Sequence, residues 1–225
     1  MSRTVILSWS TGKDAAWTLH LLRQQDRQVA ALLTTVTRTF DRVAIHGVRR
    51  SVARQQAARA GLPLVEVELP WPCSNEMYEF AISAALHDLA GRTGAGAVAF
   101  GDLFLEDVRA YRERLLRPLG LTAEFPLWGM RTDLLAERML RAGIAGRVAS
   151  LDPTKLDRSL AGAAWDERFV LDLPSSVDPC GERGEFHTVV TAGPMFSEPC
   201  ALVPGKVVER DGFVYADFRL EAEPA

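Results

Sequence analysis

Short apolar runs alternate with segments of helical periodicity through the first half of the sequence, and this alternation restricts the fold more than any other feature. The first apolar run, 4–9, ends at Ser10-Thr11-Gly12, and apolar positions recur at helical spacing from Ala15. Further strand-like segments at 29–36, 64–69 and 97–100 alternate with helix-like segments at 48–60, 75–89 and 103–119. This spacing predicts an α/β fold with βαβ units and a mostly parallel sheet. Ligands of such sheets bind beyond the carboxyl ends of the strands.

The sequence changes in character after about residue 125. One helix-like segment at 133–142 is followed by a series of prolines and by alternating segments at 186–191 and 213–220. This pattern is typical of turn-rich β structure with little helix. We therefore predict an α/β domain over residues 1–125 and a smaller α+β region over residues 126–225.

The composition excludes several classes of protein. The 225 residues include 26 Lys and Arg against 29 Asp and Glu, so no basic surface for nucleic acid or polybasic membrane anchor is expected. Three widely spaced cysteines without a CxxC pair argue against a disulfide framework and a cysteine zinc site. The first apolar run is too short for a signal peptide, and no apolar stretch of about 18 residues occurs. We expect a cytoplasmic protein.

The loop from Ser8 to Asp14 has the features of an anion site. Free amides at the start of a helix, the helix dipole and the hydroxyls of Ser10 and Thr11 would all face one point. Gly12 allows close approach of the backbone, and Lys13, one of only three lysines, adds a compact charge. The loop is not a Walker A motif, because Leu7 and Asp14 stand where glycine and a hydroxyl residue are required. An ordinary strand-to-helix turn with a serine cap is the alternative.

Ser10-Thr11-Gly12-Lys13-Asp14 after a buried strand resembles the Ser-Gly-Gly-x-Asp-Ser loop of the PP-loop ATP pyrophosphatases. It is more similar still to the loop of the diphthine–ammonia ligase family of adenine nucleotide alpha hydrolase-like proteins. Within that family the sequence resembles a bacterial-type member. The resemblance continues to about Pro199 through Leu33–Val36, His46–Val48, Gly61–Leu64, Phe100–Leu103, Pro126–Trp128 and Asp178–Thr188. It implies a Rossmann-like parallel sheet of the HUP/PP-loop type with a smaller C-terminal α+β region. The sequence differs from the family at Thr11, usually glycine, and at Ala15, usually serine.

The resemblance implies a ligase that uses ATP and Mg²⁺. A carboxylate is adenylated, pyrophosphate leaves, and ammonia attacks the acyl-adenylate to give an amide and AMP. The family substrate is diphthine on elongation factor 2. The arginine-rich composition is typical of a GC-rich bacterial genome, and bacteria are not expected to make diphthamide. A small-molecule carboxylate is therefore the alternative substrate. A homodimer is left open.

The residues that the resemblance assigns to ATP lie after three predicted strands. They are Ser8, Ser10, Thr11, Gly12, Lys13, Asp14, Thr34, Thr35 and Gly101. Lys13 and the loop amides would stabilise the departing pyrophosphate. Asp14 and Asp102 are hard oxygen donors suited to Mg²⁺ on the same rim of the sheet. The alternatives are a first-turn acid for Asp14 and a helix N-cap for Asp102.

Other polar residues near this rim have more than one interpretation. Threonine also suits an ordinary strand, which is the alternative for Thr34 and Thr35. Arg109 and Arg112 lie three residues apart on one predicted helix face, where they would reach an anionic group or remain solvated.

The segment from Cys180 to Thr188 is a second dense group of functional side chains. Glu182 and Glu185 flank Gly184, and strand alternation would put Glu185 and His187 on one face. Such groups could act as a base for ammonium, position ammonia or recognise a cationic substrate head. The predicted catalytic residues are therefore Lys13, Asp102, Glu182, Glu185 and His187.

Three less favoured interpretations concern the same residues. A zinc site of His46, Glu182 and His187 lacks the usual ligand spacing. Cys180 has no suitable neighbouring base, so a buried structural cysteine is favoured over a nucleophile. Thr11 and Ala15 favour an ATP- or AMP-binding regulatory module, or a nucleotide hydrolase without amidation activity, whereas the acidic group at 182–185 favours the ligase.

Overall fold

The first half of the chain forms a mostly parallel sheet in the computed structural model, which describes residues 4–221. Its elements are β1 (Thr4–Ser8), α1 (Lys13–Gln24), β2 (Gln28–Thr37), β3 (Arg42–Val43), α2 (Arg50–Ala60), β4 (Leu64–Leu69), α3 (Asn75–Thr93), β5 (Ala97–Ala99), α4 (Glu106–Leu116), a 3-10 turn (Arg117–Leu119) and β6 (Thr122–Glu124). The parallel strands lie in the order β4, β2, β1, β5, β6, with β3 antiparallel beside the end of β2. The predicted α/β class with a Rossmann-like parallel sheet is confirmed.

The central strand is apolar because both of its faces are covered. Val5 and Leu7 belong to a hydrophobic cluster that includes α1, whereas Ile6 belongs to a second cluster formed with α3 and α4. All three side chains are fully buried. Successive residues of a strand point to opposite faces, so a strand between two layers has no polar face. The strand order reverses between β1 and β5, and this reversal marks the expected ligand site of such sheets.

The second half forms a five-stranded antiparallel sheet. It contains α5 (Thr132–Arg141), β7 (Ala145–Leu151), a 3-10 turn (Arg158–Leu160), β8 (Ala164–Trp165), α6 (Glu167–Leu171), β9 (Phe186–Ala192), β10 (Leu202–Arg210) and β11 (Phe213–Leu220). Strand β9 pairs with one edge of β7, while β8 and β11 pair with the other and β10 extends the sheet. This agrees with the predicted smaller α+β region.

Some predicted boundaries were wrong. The helix predicted from Leu103 begins at Glu106, because residues 100–105 form the loop after β5. Ser74 rather than Asn75 caps α3, and its Oγ accepts a hydrogen bond from the Met77 amide at 3.2 Å. Strand β7 was not predicted, since its small residues lack the β-branched, apolar pattern of a strand.

The two halves share one hydrophobic cluster. It joins Leu7 and Trp9 at the first strand to Trp165, Phe186 and Val190 in the second half. Strand β9 lies against the start of α1, where the Lys13 amide donates a hydrogen bond to Thr188 Oγ1 at 3.1 Å. Among the helices between residues 4 and 221, none has both the length and the apolar character needed to cross a membrane.

Candidate functional site

A cavity of about 730 Å³ opens at the carboxyl ends of β1, β2 and β5. Parallel strands end at the same edge of a sheet, so the loops that follow them converge there. We call it the first cavity. Its wall includes most of the predicted site residues, namely Ser8, Ser10, Lys13, Asp14, Thr34, Thr35, Gly101, Asp102, Glu182 and His187.

Gly101 brings two parts of this wall together. A Cβ atom at this position would lie 2.9 Å from the carbonyl carbon of Asp14 and 3.1 Å from the Ala15 nitrogen. Real side chains do not tolerate such distances, so only glycine lets the loop after β5 reach the first turn of α1. The contact places Asp102 and Asp14 on one rim, as predicted.

Thr11 and Gly12 do not line the first cavity. Thr11 is completely buried and has φ of 74°, a left-handed conformation that is strained for a β-branched residue. A Cβ at Gly12 would meet the His46 ring at 2.8 Å, so this glycine faces a protein side chain. Glycine, usual for the family at position 11, would relieve the strain at that position.

Glu185 also lies outside the wall of the first cavity. Its Oε1 accepts a hydrogen bond from the Asp178 amide at 3.1 Å, and its Oε2 accepts one from the Arg183 amide at 2.9 Å. Strand β9 begins only at Phe186, so strand alternation does not pair Glu185 with His187 as expected. The carboxylate closes the loop that carries Glu182, and we regard Glu185 as a positioning residue.

The predicted anion loop is held by a buried glutamine. Gln56 of α2 is completely buried, and its Oε1 accepts a hydrogen bond from Trp9 Nε1 at 3.0 Å. Its Nε2 donates to the carbonyl oxygens of Thr11 at 3.1 Å and Val190 at 2.8 Å. The Val190 amide in turn donates to Thr11 O at 3.0 Å. These bonds join α2, the loop and β9, and nothing in the local sequence around Gln56 indicates them.

Lys13 is buried, with 2% of its side chain exposed. Its Nζ donates to Asp14 Oδ2 at 2.9 Å and to the carbonyl oxygen of Cys180, and it lies over the rings of Trp165 and Phe186. Burial alone would lower the pKa of Lys13, but the combined attraction of Asp14, Cys180 and Glu182 outweighs it and the pKa is raised. The lysine is therefore charged, and two of its three ammonium protons are used by these contacts.

Three carboxyl groups, those of Asp14, Asp102 and Glu182, face the cavity near this ammonium. Burial raises the pKa of Asp102, although the Arg112 guanidinium, 3.5 Å away, partly opposes the shift. Burial also raises the pKa of Glu182 to about 7, with further repulsion from Asp14 and Asp102. Asp102 is not a helix N-cap, because α4 begins four residues later; that alternative was wrong.

Several polar atoms of the cavity wall have no hydrogen-bond partner among residues 4–221. They are Asp14 Oδ1 and Thr34 Oγ1, together with Asp102 Oδ2 and Arg112 Nε, which form only a long ion pair with each other at 3.5 Å. Buried polar atoms nearly always have a partner in native proteins, so their concentration here is characteristic of a ligand site. Carboxylate oxygens are the donors that Mg²⁺ prefers, and one or two carboxylates with substrate phosphates commonly suffice. The unpartnered Asp14 Oδ1 and the Asp102 Oδ2, whose ion pair with Arg112 is long, therefore fit the implied Mg²⁺.

Two histidines stand together at the other side of the cavity. The rings of His46 and His187 have centres 4.6 Å apart, and His46 Nδ1 lies 3.2 Å from the carbonyl oxygen of Thr188. Burial lowers the pKa of His46 to about 4, and burial also lowers the pKa of His187, helped by His46 and Lys13. Both rings are therefore neutral near pH 7. The sequence indicates His46 only as part of the family resemblance and as a candidate zinc ligand, and does not predict that it lies beside His187.

Arg109 and Arg112 of α4 have different surroundings. Arg112 lines the cavity, where it pairs with Asp102 and donates from Nη1 to Tyr78 Oη at 3.4 Å. Arg109 pairs with Glu113 at 2.9 Å and lies 4.7 Å above the Trp128 ring, away from the cavity. They do not form a common anion site.

The less favoured metal and nucleophile interpretations gain no support. Within the part of the chain that the structure describes, no three His, Cys, Asp or Glu side chains are grouped so as to hold a metal ion. The zinc site of His46, Glu182 and His187 therefore lacks a cluster. Cys180 is buried, its Sγ lies 3.4 Å from Thr132 O, and burial raises the pKa of its thiol. A neutral buried thiol is a poor nucleophile.

Comparison with known proteins identifies relatives of the first half of the chain. Over 118 residues the chain is 30% identical to a protein of Schizosaccharomyces pombe named diphthine–ammonia ligase; the match covers 50% of this chain and 19% of that protein. The chain thus spans about a fifth of the length of this curated relative. The family model described as the diphthamide synthase N-terminal domain matches residues 2–123.

The family match does not extend to the second half, so the resemblance predicted for Asp178–Thr188 stays a prediction. The matched region does contain Lys13 and Asp14, Thr34 and Thr35 of β2, and Asp102, which all line the first cavity. It covers more than half of the 225 residues. The chain therefore belongs to the diphthamide synthase N-terminal domain family.

Proposed function

We propose that the chain is an ATP-dependent ligase that joins ammonia to a carboxylate and releases AMP and pyrophosphate. The observation that carries the proposal is the set of unpartnered polar atoms in the first cavity, at the point where the strand order reverses. The name of the fission-yeast relative supports the same reaction. The substrate is diphthine on elongation factor 2 if the family reaction holds, and otherwise a smaller carboxylate.

The residues of the cavity suit the adenylation step. The Lys13 ammonium lies in the wall and would stabilise negative charge that develops on the leaving pyrophosphate. Asp14 and Asp102 would hold Mg²⁺, which offsets the charge of the phosphate oxygens when it is bound. Thr34 Oγ1 is buried without a partner in the wall and would donate to the nucleotide.

The amidation step requires groups that accept protons near pH 7. Ammonia bound as ammonium must lose a proton before it can attack the acyl-adenylate. Glu182, with its pKa raised by burial to about 7, lines the cavity and would accept this proton, whereas the neutral imidazole of His187, whose pKa is lowered by burial, would position the ammonia. Glu185 would act indirectly, by holding the loop that carries Glu182.

A regulatory module that binds ATP or AMP without turnover is the second candidate. Ala15 favours it, because this residue lines the cavity where the family usually has a serine hydroxyl. Thr11 favours it as well, because a strained threonine stands where the family usually has glycine, so the loop differs from the family at both Thr11 and Ala15.

Incubation with Mg-ATP, ammonium and candidate carboxylates tests the proposal. We expect AMP and pyrophosphate to form only when a suitable carboxylate is present. Nucleotide binding without AMP formation for any carboxylate would contradict the ligase and leave the regulatory module.

Lys13→Met, which keeps the length of the side chain but removes its charge, should weaken ATP binding at least tenfold, because a charge-assisted contact contributes about 1.5–3 kcal/mol. Lys155→Ala, outside the cavity wall, is the control. Equal ATP affinity in a folded Lys13→Met protein would show that the lysine does not contact the nucleotide.

A further inference from the structure

A second cavity of about 610 Å³ adjoins the first and has no part in the mechanism above. It lies between the end of β2, the segment around Trp71 and the β10–β11 hairpin. Val43, Ala44 and Ile45 line both cavities and form the wall between them. A molecule bound in the second cavity would therefore lie next to the first.

The lining of the second cavity is positively charged. Its cationic residues are Arg42, Arg49, Lys206, Arg210 and Arg219, and its acidic residues are Asp211 and Asp217. Five cations against two anions give an excess of three positive charges, in a chain whose formal net charge is −3. Charge of one sign concentrated in a concave surface attracts ligands of the opposite sign.

Two of these arginines are held in place by one carboxylate. Arg49 donates to both oxygens of Asp217, from Nε at 3.0 Å and from Nη2 at 2.6 Å, and Arg42 Nη1 donates to Asp217 Oδ1. Although burial opposes it, these guanidinium groups lower the pKa of Asp217 to about 2. One negative charge shared by two fixed guanidinium groups leaves a positive charge in a rigid position.

Aromatic rings provide an apolar surface beside the cations. The Arg210 guanidinium carbon lies 4.0 Å from the centre of the Phe40 ring, and Phe40 contacts Trp71 with ring centres 5.7 Å apart. Trp71 is 53% exposed although it lines the cavity. Stacking orients the Arg210 plane, and the exposed indole can cover the apolar part of a ligand.

The residue between the two cavities is strained and exposed. Ile45 has φ of 68°, an unfavourable conformation for a β-branched side chain, and 73% of its surface is exposed. Such strain is found at functional sites more often than elsewhere. A ligand that occupied both cavities would pass over this residue.

We propose that the second cavity binds an anionic end of the acyl substrate, while the carboxylate to be amidated lies in the first cavity. The substrate class is then a small molecule with two anionic groups, a dicarboxylate or a phosphorylated carboxylate, joined by an apolar segment. This assignment of the substrate rests on the proposed ligase function.

The test measures binding of glutarate, inorganic phosphate and butyrate to the full chain, by calorimetry at low salt without ATP. We expect glutarate or phosphate to bind more tightly than butyrate, because the second cavity would recognise an anionic group beyond a single carboxylate. Tighter binding of glutarate than of phosphate assigns a carboxylate to the second cavity, and the reverse assigns a phosphate.

The double variant Lys206→Gln/Arg210→Gln should weaken this binding about tenfold or more, because charge-assisted hydrogen bonds are lost. The control Arg141→Gln/Arg168→Gln removes the same charge from exposed positions outside both cavities and should change it less than twofold. Melting temperatures establish that both proteins are folded.

Three results would overturn the proposal. They are no saturable binding of any of the three anions, equal weakening in both double variants, and binding that is lost in Lys13→Met but kept in Lys206→Gln/Arg210→Gln. The last result would place the anion in the first cavity. Because binding is measured without turnover, failure to form AMP contradicts the ligase proposal without affecting this result.

Discussion

At the scale of single residues, Glu182 is the titratable group whose shifted pKa bears most directly on the proposed reaction. Its Oε1 accepts a hydrogen bond from the Leu103 amide at 2.7 Å, which favours the carboxylate. Burial and the negative charges of Asp14 and Asp102 act against the carboxylate more strongly, so the pKa rises to about 7. A carboxyl group with this pKa exchanges protons at neutral pH, whereas an ordinary glutamate is fully ionised.

The raised pKa of Glu182 predicts a pH-dependent stability that Glu182→Gln removes. The folded protein keeps this proton up to about pH 7, whereas the unfolded chain releases it near pH 4.5, so this group makes the free energy of unfolding fall as pH rises between these values. Glutamine keeps the oxygen that accepts from Leu103 but does not ionise. We expect the stability of the variant relative to wild type to be greater at pH 8 than at pH 5 by roughly 1–2 kcal/mol, after allowance for partial exposure.

Urea unfolding of both proteins at pH 5 and pH 8 measures this difference. Glu137→Gln, on α5 outside both cavities, is the matched control and should leave the pH dependence of wild type unchanged. The same change in stability between pH 5 and pH 8 in Glu182→Gln and wild type would contradict the raised pKa.

At the scale of structural elements, α2, the loop after β1 and β9 act as one unit because of Gln56. Two of its three side-chain hydrogen bonds go to Trp9 and Thr11 in the loop after β1, the third goes to Val190 of β9, and all of them are buried. Such a fully satisfied buried amide specifies one arrangement of its neighbours, because a shift of any element would leave a buried polar atom without a partner. The strained backbone of Thr11 is maintained by this arrangement.

Gln56→Met should destabilise the protein by roughly 2–4 kcal/mol, since the buried Trp9 Nε1 loses its partner and the carbonyls of Thr11 and Val190 each lose a hydrogen bond while the volume is preserved. Urea unfolding measures this loss. Hydrogen exchange of the Val190 amide, which donates to Thr11 O, should accelerate more than that of amides within α3. Gln55→Met, the adjacent residue of the same helix but outside this network, is the control. Equal stability of the two variants would show that the network does not hold the loop.

At the scale of the whole molecule, the two halves depend on each other. One hydrophobic cluster contains Val5 and Leu7 of β1 together with Val148 of β7 and Phe186 of β9. The second half thus covers part of the apolar surface of the first, besides supplying Glu182 and His187 to the first cavity. A boundary near residue 125 separates two kinds of architecture, and we propose that it does not separate two independently stable domains.

A fragment of residues 1–125 should therefore fail to fold cooperatively. Without the second half, apolar side chains of β1 and α1 that belong to one cluster with Trp165 and Phe186 would lose part of their cover, and burial contributes about 25 cal/mol per Å². We expect the fragment to bind a hydrophobic dye and to lack a sharp thermal transition. The full chain should unfold in one transition, with circular dichroism and tryptophan fluorescence coinciding. A cooperative transition of the fragment alone would show that the first half is an independent domain.

How much was predictable depended on whether the signal was local. The strands β1, β2 and β5 were predicted because a strand covered on both faces must be continuously apolar, and β4 was predicted as a short strand-like segment that ends at Pro70. Ser8, Asp14 and Asp102 were predicted to lie together because the ends of parallel strands share one edge. Strand β7 was missed because its small residues lack the pattern of a strand, and the contacts of Glu185 were missed because they go to backbone amides of its own irregular loop, which leaves no periodic pattern.

The sequence by itself determined the parallel sheet, the edge where its loops converge and the family to which that loop belongs, because these follow from periodicity and residue type within short segments. Only the tertiary structure decided that β9 covers the loop, that Lys13 reaches the Cys180 carbonyl 167 positions away, and that Arg42 and Arg49 share Asp217 beside a second cavity. Contacts between distant residues depend on how complete elements pack. That packing minimises exposed apolar surface and unpaired buried polar atoms over the whole chain, which no local pattern records.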